Sequence, residues 1–377
     1  MTAPMTIVVV DDSAVQRRFL RGAIDAAPEF DVVGEARNGK EAVALVERLR
    51  PHAVVMDLDL PVMGGVEAIE RIMATCATPI LVYSAFVAGE DSENAMEALA
   101  AGAVDVLAKP GPQDTGTLDE YADTLRRRLR MVSRIRVITH PRGRLRNSTG
   151  LIGEAKTIAG VGGRRPLLAT PAPVIDEIPT RAGVKLLVIG ASTGGPHALL
   201  SVLSSLPADL SQAVLIVQHM AEGFIGGLAS WLDGLVALPV SVGESGRRLE
   251  PGTVTIAPSG GNLIVQDDRL RVLVTPPDAG QFHVPGIDAT MRSVADALGP
   301  DAVGVLLTGM GRDGAAGLLA MRRRGAFTIG QDEATSAVYG MPAAAAALDA
   351  IDRQLPIEAI GPALCDVLLA KPTSPRP

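Results

Sequence analysis

The feature that most constrains this chain is a repeated run-and-stop pattern, in which short apolar runs of strand length each end in a residue able to do chemistry. Ile7 to Val10 meets Asp11 and Asp12, Val54 to Met56 meets Asp57, Ile80 to Tyr83 meets Ser84, and Val104 to Leu107 leads to Lys109 and Pro110. Segments of helical periodicity alternate with these runs from Thr6 to about Leu129, and the alternation returns from Val184 to about Leu369. That rhythm predicts parallel α/β sheets. A chain of 377 residues exceeds what one hydrophobic core accommodates. Two α/β domains are therefore expected, over residues 1–130 and 184–371.

Between them, residues 131–183 carry Pro141, Pro166, Pro171, Pro173 and Pro179 and no sustained period, which reads as a flexible linker. Its charge is one-sided. Arg134, Arg136, Arg142, Arg144, Arg146, Lys156, Arg164 and Arg165 face almost no acids before Asp176 and Glu177. Without aromatic interleaving or a helical stripe, that run reads as a solvated tether. Residues 372–377 are expected to form a disordered tail. A formal charge of −7 and 3% aromatic residues argue against nucleic acid as a partner. Cys76 and Cys365 are too few and too far apart for a disulfide framework or a cysteine zinc site. No apolar run stays uncharged long enough to span a membrane. A cytoplasmic protein is expected.

In an open α/β sheet the carboxyl ends of the strands converge on one crevice. Asp11, Asp12 and Asp57 would then share a pocket with Lys109, and like charges so close call for a hard cation such as Mg2+. Asp57 is the candidate phosphoryl acceptor, with Mg2+ and Lys109 offsetting charge on the moving oxygens and Ser84 bonding the phosphate. Helix capping explains one aspartate at a strand end, but not three acids, a hydroxyl and a lysine at four of them.

These residues resemble the response-regulator receiver family through Asp11-Asp12, Met56-Asp57-Leu58-Asp59-Leu60-Pro61-Val62-Met63-Gly64-Gly65, Tyr83-Ser84-Ala85 and Ala108-Lys109-Pro110. The resemblance implies a flavodoxin-like, five-stranded, doubly wound parallel sheet and phosphorylation of Asp57 by a partner histidine kinase. It also implies Mg2+ held by Asp11, Asp12, Asp57 and the carbonyl of Asp59, with signalling through Ser84. Val106 departs from the aromatic switch residue that many receivers carry three positions before the lysine.

In the second block, Lys185 to Ile189 breaks into Gly190-Ala191-Ser192-Thr193-Gly194-Gly195-Pro196 ahead of a helical stretch. A serine on such a strand-turn-helix is held on a sharp turn, with helix-opening N–H groups available to an oxyanion. A phosphate-cradling loop is the competing reading. It lacks the lysine of a P-loop, and the next run, Ala213 to Val217, ends in Gln218-His219 rather than an acid. His219 is then a candidate base, and Asp313, in the glycine-rich turn after Val303 to Leu307, a candidate orienter. His197 and His283 are rival bases and Asp288 a rival acid, with His283 and Asp288 assigned to a loop suited to substrate contact.

This block resembles the catalytic domain of the chemotaxis protein-glutamate methylesterases. The resemblance rests on Ile189 to Pro196, Val217-Gln218-His219-Met220, Ala257-Pro258-Ser259-Gly260-Gly261-Asn262, Leu307-Thr308-Gly309-Met310-Gly311-Arg312-Asp313-Gly314 and Tyr339-Gly340-Met341-Pro342. It implies a doubly wound, mostly parallel α/β domain and a triad of Ser192, His219 and Asp313. Thr193, Met310 and Gly311 would serve the oxyanion or substrate. It further implies hydrolysis of glutamyl methyl esters on chemoreceptors, deamidation of receptor glutamines, and no cofactor for the ester reaction. The stretch Ala221 to Gly227 is less proline-rich than is usual in that family.

Overall fold

The computed structural model describes residues 3–84, 90–110, 117–135, 137, 183–221, 223–281 and 283–369. Apart from a few residues at its ends, the linker expected over 131–183 lies outside the described residues, as does the tail expected over 372–377.

The first sheet comprises β1 (Met5–Val10), β2 (Phe30–Ala36), β3 (Ala53–Met56), β4 (Ile80–Ser84) and β5 (Asp105–Ala108), in the order β2-β1-β3-β4-β5. All its pairings are parallel. The order is that of a flavodoxin-like sheet. The four residues of β3, Ala53-Val54-Val55-Met56, are all buried, as a strand covered by helices on both faces requires. One face carries α2 (Gly39–Leu49), α3 (Gly65–Thr75) and α4 (Glu90–Ala100), and the other α1 (Ala14–Asp25) and α5 (Leu118–Val132). Local chemistry fixes where two of these helices start. Ser13 caps α1 by accepting from the Gln16 N–H, and Thr117 with Glu120 forms a reciprocal capping box on α5.

The second sheet has seven strands: β6 (Leu186–Ala191), β7 (Ala213–Gln218), β8 (Val240–Val242), β9 (Val254–Ile256), β12 (Ala302–Leu306), β13 (Phe327–Gln331) and β14 (Arg353–Leu355). Their order is β14-β13-β12-β6-β7-β9-β8, parallel throughout. A separate antiparallel hairpin, β10 (Asn262–Val265) with β11 (Val272–Thr275), lies outside this parallel sheet. From β6 the chain winds outward through β7 and later returns to β12 on the other flank. The switch point of this doubly wound sheet therefore lies at the carboxyl ends of β12, β6 and β7, where such sheets bind ligands.

Helices α6 (Gly195–Leu203), α7 (Phe224–Asp233), α8 (Ile287–Leu298), α9 (Ala315–Arg323), α10 (Met341–Ala347) and α11 (Ile357–Leu368) complete the domain. The two domains touch through α4, which lies against α7 and α6. Buried Ala95, Met96 and Leu99 join Leu199, Phe224 and Ile225 in one apolar cluster. Among the described residues, no helix is long and apolar enough to cross a membrane.

Candidate active site

Strand register assembles the acidic pocket of the first domain. Val10 lies opposite Met56, Met56 opposite Val82, and Ser84 opposite Ala108, so the residues that follow these ends converge. Carboxylate oxygens of Asp11, Asp12 and Asp57 lie within 4.8 Å of one another. Asp11 and Asp57 are buried and Asp12 is exposed. Lys109 Nζ bridges the buried pair, 2.9 Å from Asp11 Oδ2 and 2.8 Å from Asp57 Oδ2. Burial pushes the Asp57 carboxyl up to about 6 despite Lys109, and the neighbouring charge of Asp11 pushes the same way. Three carboxylates against one ammonium leave an all-oxygen donor set with excess negative charge, which fits a hard divalent cation. Ser84 is buried at the end of β4, and Asp59 is exposed on the loop after Asp57.

The second constellation sits at the switch point. Ala191 pairs with Gln218 and Gly190 with Leu306, so Ser192 and His219 emerge side by side while the Asp313 turn approaches from β12. Ser192, Thr193, His219, Met310, Gly311 and Asp313 all line one cleft of about 830 Å³. Gly309 lets the backbone crowd the serine, since a Cβ there would lie 2.6 Å from Ser192 Cβ. His219 Nε2 lies 2.8 Å from Asp313 Oδ2. Its Nδ1 is buried and has no hydrogen-bond partner among the described residues.

Asp313 is anchored at the amino end of α8. Oδ2 accepts from the Ile287 N–H at 2.8 Å, while Oδ1 accepts from Asp288 at 2.9 Å and from Gly314 at 3.0 Å. Burial opposes its charge, but His219 and these N–H groups outweigh burial and hold the carboxyl below its ordinary range. A carboxylate fixed on one imidazole nitrogen, next to a strand-end serine, is an arrangement able to serve nucleophilic hydrolysis.

Family models match over both domains: "Response regulator receiver domain" at residues 7–118 and "CheB methylesterase" at residues 187–364. The protein-glutamate methylesterase/protein-glutamine glutaminase 3 of Paramagnetospirillum magneticum is 39% identical over 96% of both chains. The corresponding enzyme 1 of Cupriavidus pinatubonensis is 41% identical, again over 96% of each. This chain belongs to that methylesterase family. Among solved structures, the CheB methylesterase catalytic domain of Thermotoga maritima is 33% identical with a TM-score of 0.47, covering 48% of this chain and 98% of that one.

In this family member the rival residues fall into different places. His197 turns to a separate cavity of about 280 Å³, shared with Met73 and Gly102 of the first domain. Asp288 accepts from the Gly317 N–H at 2.6 Å and braces the α8 end. His283 stacks directly on His219. Sequence reasoning missed Gln218, whose Nε2 donates to the carbonyls of Ser192 (2.9 Å) and His219 (2.8 Å) and so ties the end of β6 to the end of β7. A buried glutamine ending an all-apolar strand was the available signal. Also unforeseen were Arg127 and Arg128 of α5, which line the same cleft as Ser192 and His219. So was the hydrogen bond from Thr193 Oγ1 to Asp105 Oδ2 at 3.3 Å.

Proposed function

We propose that this chain is a phosphorylation-gated methylesterase that hydrolyses glutamyl methyl esters on chemoreceptors and deamidates receptor glutamines. The carrying observation is the orientation of His219, bound through Nε2 to Asp313, with the buried Nδ1 unpartnered in the cleft that Ser192 lines. Ser192 Oγ attacks the ester carbonyl as Nδ1 takes its proton. Backbone N–H groups of Thr193, Met310 and Gly311 offer donors to the oxyanion. Collapse of the tetrahedral species expels the alkoxide, which recovers the proton from His219 and leaves as methanol. Water then attacks the acyl-enzyme with His219 again as base, releasing the glutamate carboxylate and regenerating Ser192. A glutamine substrate follows the same path, with ammonia leaving.

Gating belongs to the same proposal, with a division into a receiver domain over about 1–130 and a catalytic domain over about 184–371. Asp57 accepts the phosphoryl group from a partner histidine kinase. Asp11, Asp12, Asp57 and the Asp59 carbonyl would hold Mg2+, which supplies charge neutralisation for the incoming phosphoryl oxygens. With α5 lining the cleft and Asp105 holding Thr193, the unphosphorylated receiver restricts access, and phosphorylation shifts the population toward an open arrangement. Such partners put the protein in the cytoplasm, beside the signalling parts of membrane receptors. The test is methanol release from methylated receptor membranes, with and without a phosphodonor. Ser192→Ala should abolish it, and persistent release would move the nucleophile elsewhere.

A further inference from the structure

His283 stands face to face with the proposed base. The two imidazole rings are 4.4 Å apart between centroids, and their planes differ by 14°. The loop that carries His283 is braced on both sides. Gln281 Nε2 donates to the His283 carbonyl, and Gln281 forms a reciprocal amide pair with Asn262 at 2.8 Å in each direction. Asn262 Oδ1 also accepts from the Gly286 N–H at 2.8 Å. The ring at 283 is thus delivered to its place from β10 and the start of α8.

His219 needs such a neighbour. Its only side-chain hydrogen bond in the described structure is the one from Nε2 to Asp313, and rotation of a histidine ring about Cβ–Cγ is otherwise soft. A flat group on one face restrains that rotation and covers that face of the ring. The plate must also be uncharged, because a second imidazolium stacked on His219 would oppose the proton transfer that the reaction needs. The groups facing His283 favour the neutral ring. Burial, then the charge on His219, lowers its pKa to about 4, Arg128 and Arg127 push the same way, and Asp313 pulls against them.

We propose that His283 is a positioning residue for ester hydrolysis: a neutral imidazole plate that fixes the plane of His219 and shields its face, gaining and losing no proton during the reaction. The inference rests on the Ser192, His219 and Asp313 reading above.

The test measures methanol release by the full-length chain with a phosphodonor on a glutamyl methyl ester peptide. It compares wild type with His283→Ala, His283→Phe, Ser192→Ala and His219→Ala across pH. His283→Ala should lower kcat by about tenfold or more, with KM changing less, as expected when a reacting group loses its alignment. His283→Phe should restore most of kcat, because phenylalanine is flat and uncharged. Above about pH 5 its rate profile should superimpose on that of wild type, whereas the acid limb of His283→Ala should shift. Wild-type kcat in His283→Ala, alongside inactive Ser192→Ala and His219→Ala, would overturn this inference and leave the triad standing. So would a His283→Phe variant as slow as His283→Ala, since the ring nitrogens would then be needed. Methanol release by Ser192→Ala would instead overturn the triad reading itself.

Discussion

Replacing Asp313 by asparagine changes one oxygen to an amide nitrogen, and the surrounding donors leave that nitrogen no suitable place. Both carboxylate oxygens are used twice. Oδ2 meets His219 Nε2 and the Ile287 N–H, and Oδ1 meets the N–H groups of Asp288 and Gly314. With the amide nitrogen at the Oδ2 position, His219 Nε2 must become an acceptor. Its proton then sits on Nδ1, the nitrogen that should accept from Ser192. With the nitrogen at the Oδ1 position the tautomer survives, but two backbone donors face a third, each lost bond costing about 1–3 kcal/mol. The first orientation disrupts fewer bonds and should dominate. Loss of the correct tautomer lowers kcat by roughly 10⁴-fold in a Ser-His-Asp site, or about 5 kcal/mol of barrier. Single-turnover methanol release from a glutamyl methyl ester peptide, with a phosphodonor present, measures this. A variant within tenfold of wild type and with an unchanged pH profile would refute the role given to Asp313.

Asp105→Ala removes the acceptor shared by Thr193 Oγ1 and Arg128, so methanol release without a phosphodonor should rise several-fold while the phosphorylated rate changes little; an unchanged basal rate would remove Asp105 from the gate. Gly309→Ala should cut kcat by about a hundredfold or more, because its Cβ would lie 2.6 Å from Ser192 Cβ and displace the nucleophile. Asp57 titrates near 6 in the fold against 3.8 in the open chain, so the folded state holds the extra proton between those values and stability falls as pH rises through that window. Without Mg2+, Asp57→Asn should therefore melt above wild type at pH 7, with the gap closing toward pH 4, and added Mg2+ should raise the melting temperature of wild type alone in scanning calorimetry.

Much of the site was legible because strand-end residues follow from periodicity alone. The run from Val54 to Met56 reads as a strand ending at Asp57, and the structure extends it by one residue as Ala53–Met56, buried throughout. The same logic placed Ser192 and His219 after the runs that form β6 and β7, and Asp313 in the glycine-rich turn beyond β12. What it could not reach depends on offsets between strands and on long connections. Whether Nδ1 or Nε2 of His219 meets Asp313 is set by how β7 and the turn after β12 sit on either flank of β6. The stack of His283 depends on an amide pair between Asn262 and Gln281, residues that carry no periodic signal.

Contacts between the domains are a further step removed, because they join residues far apart in sequence and local patterning records none of them. Strand β5 nevertheless gives those contacts a physical logic. Lys109, which bridges Asp11 and Asp57, follows its carboxyl end, and Asp105, which holds Thr193, begins it. The two lie about 13 Å apart along an extended backbone. That backbone is anchored to β4 by the Lys109 N–H to Ser84 carbonyl bond at 2.7 Å. A phosphoryl group on Asp57 would add negative charge beside Lys109 at one end of the strand whose other end holds Thr193. On the proposed gating, Asp105→Ala should raise methanol release without a phosphodonor even when Lys109 is also replaced, whereas Lys109→Ala alone should leave that release low and unresponsive to a phosphodonor.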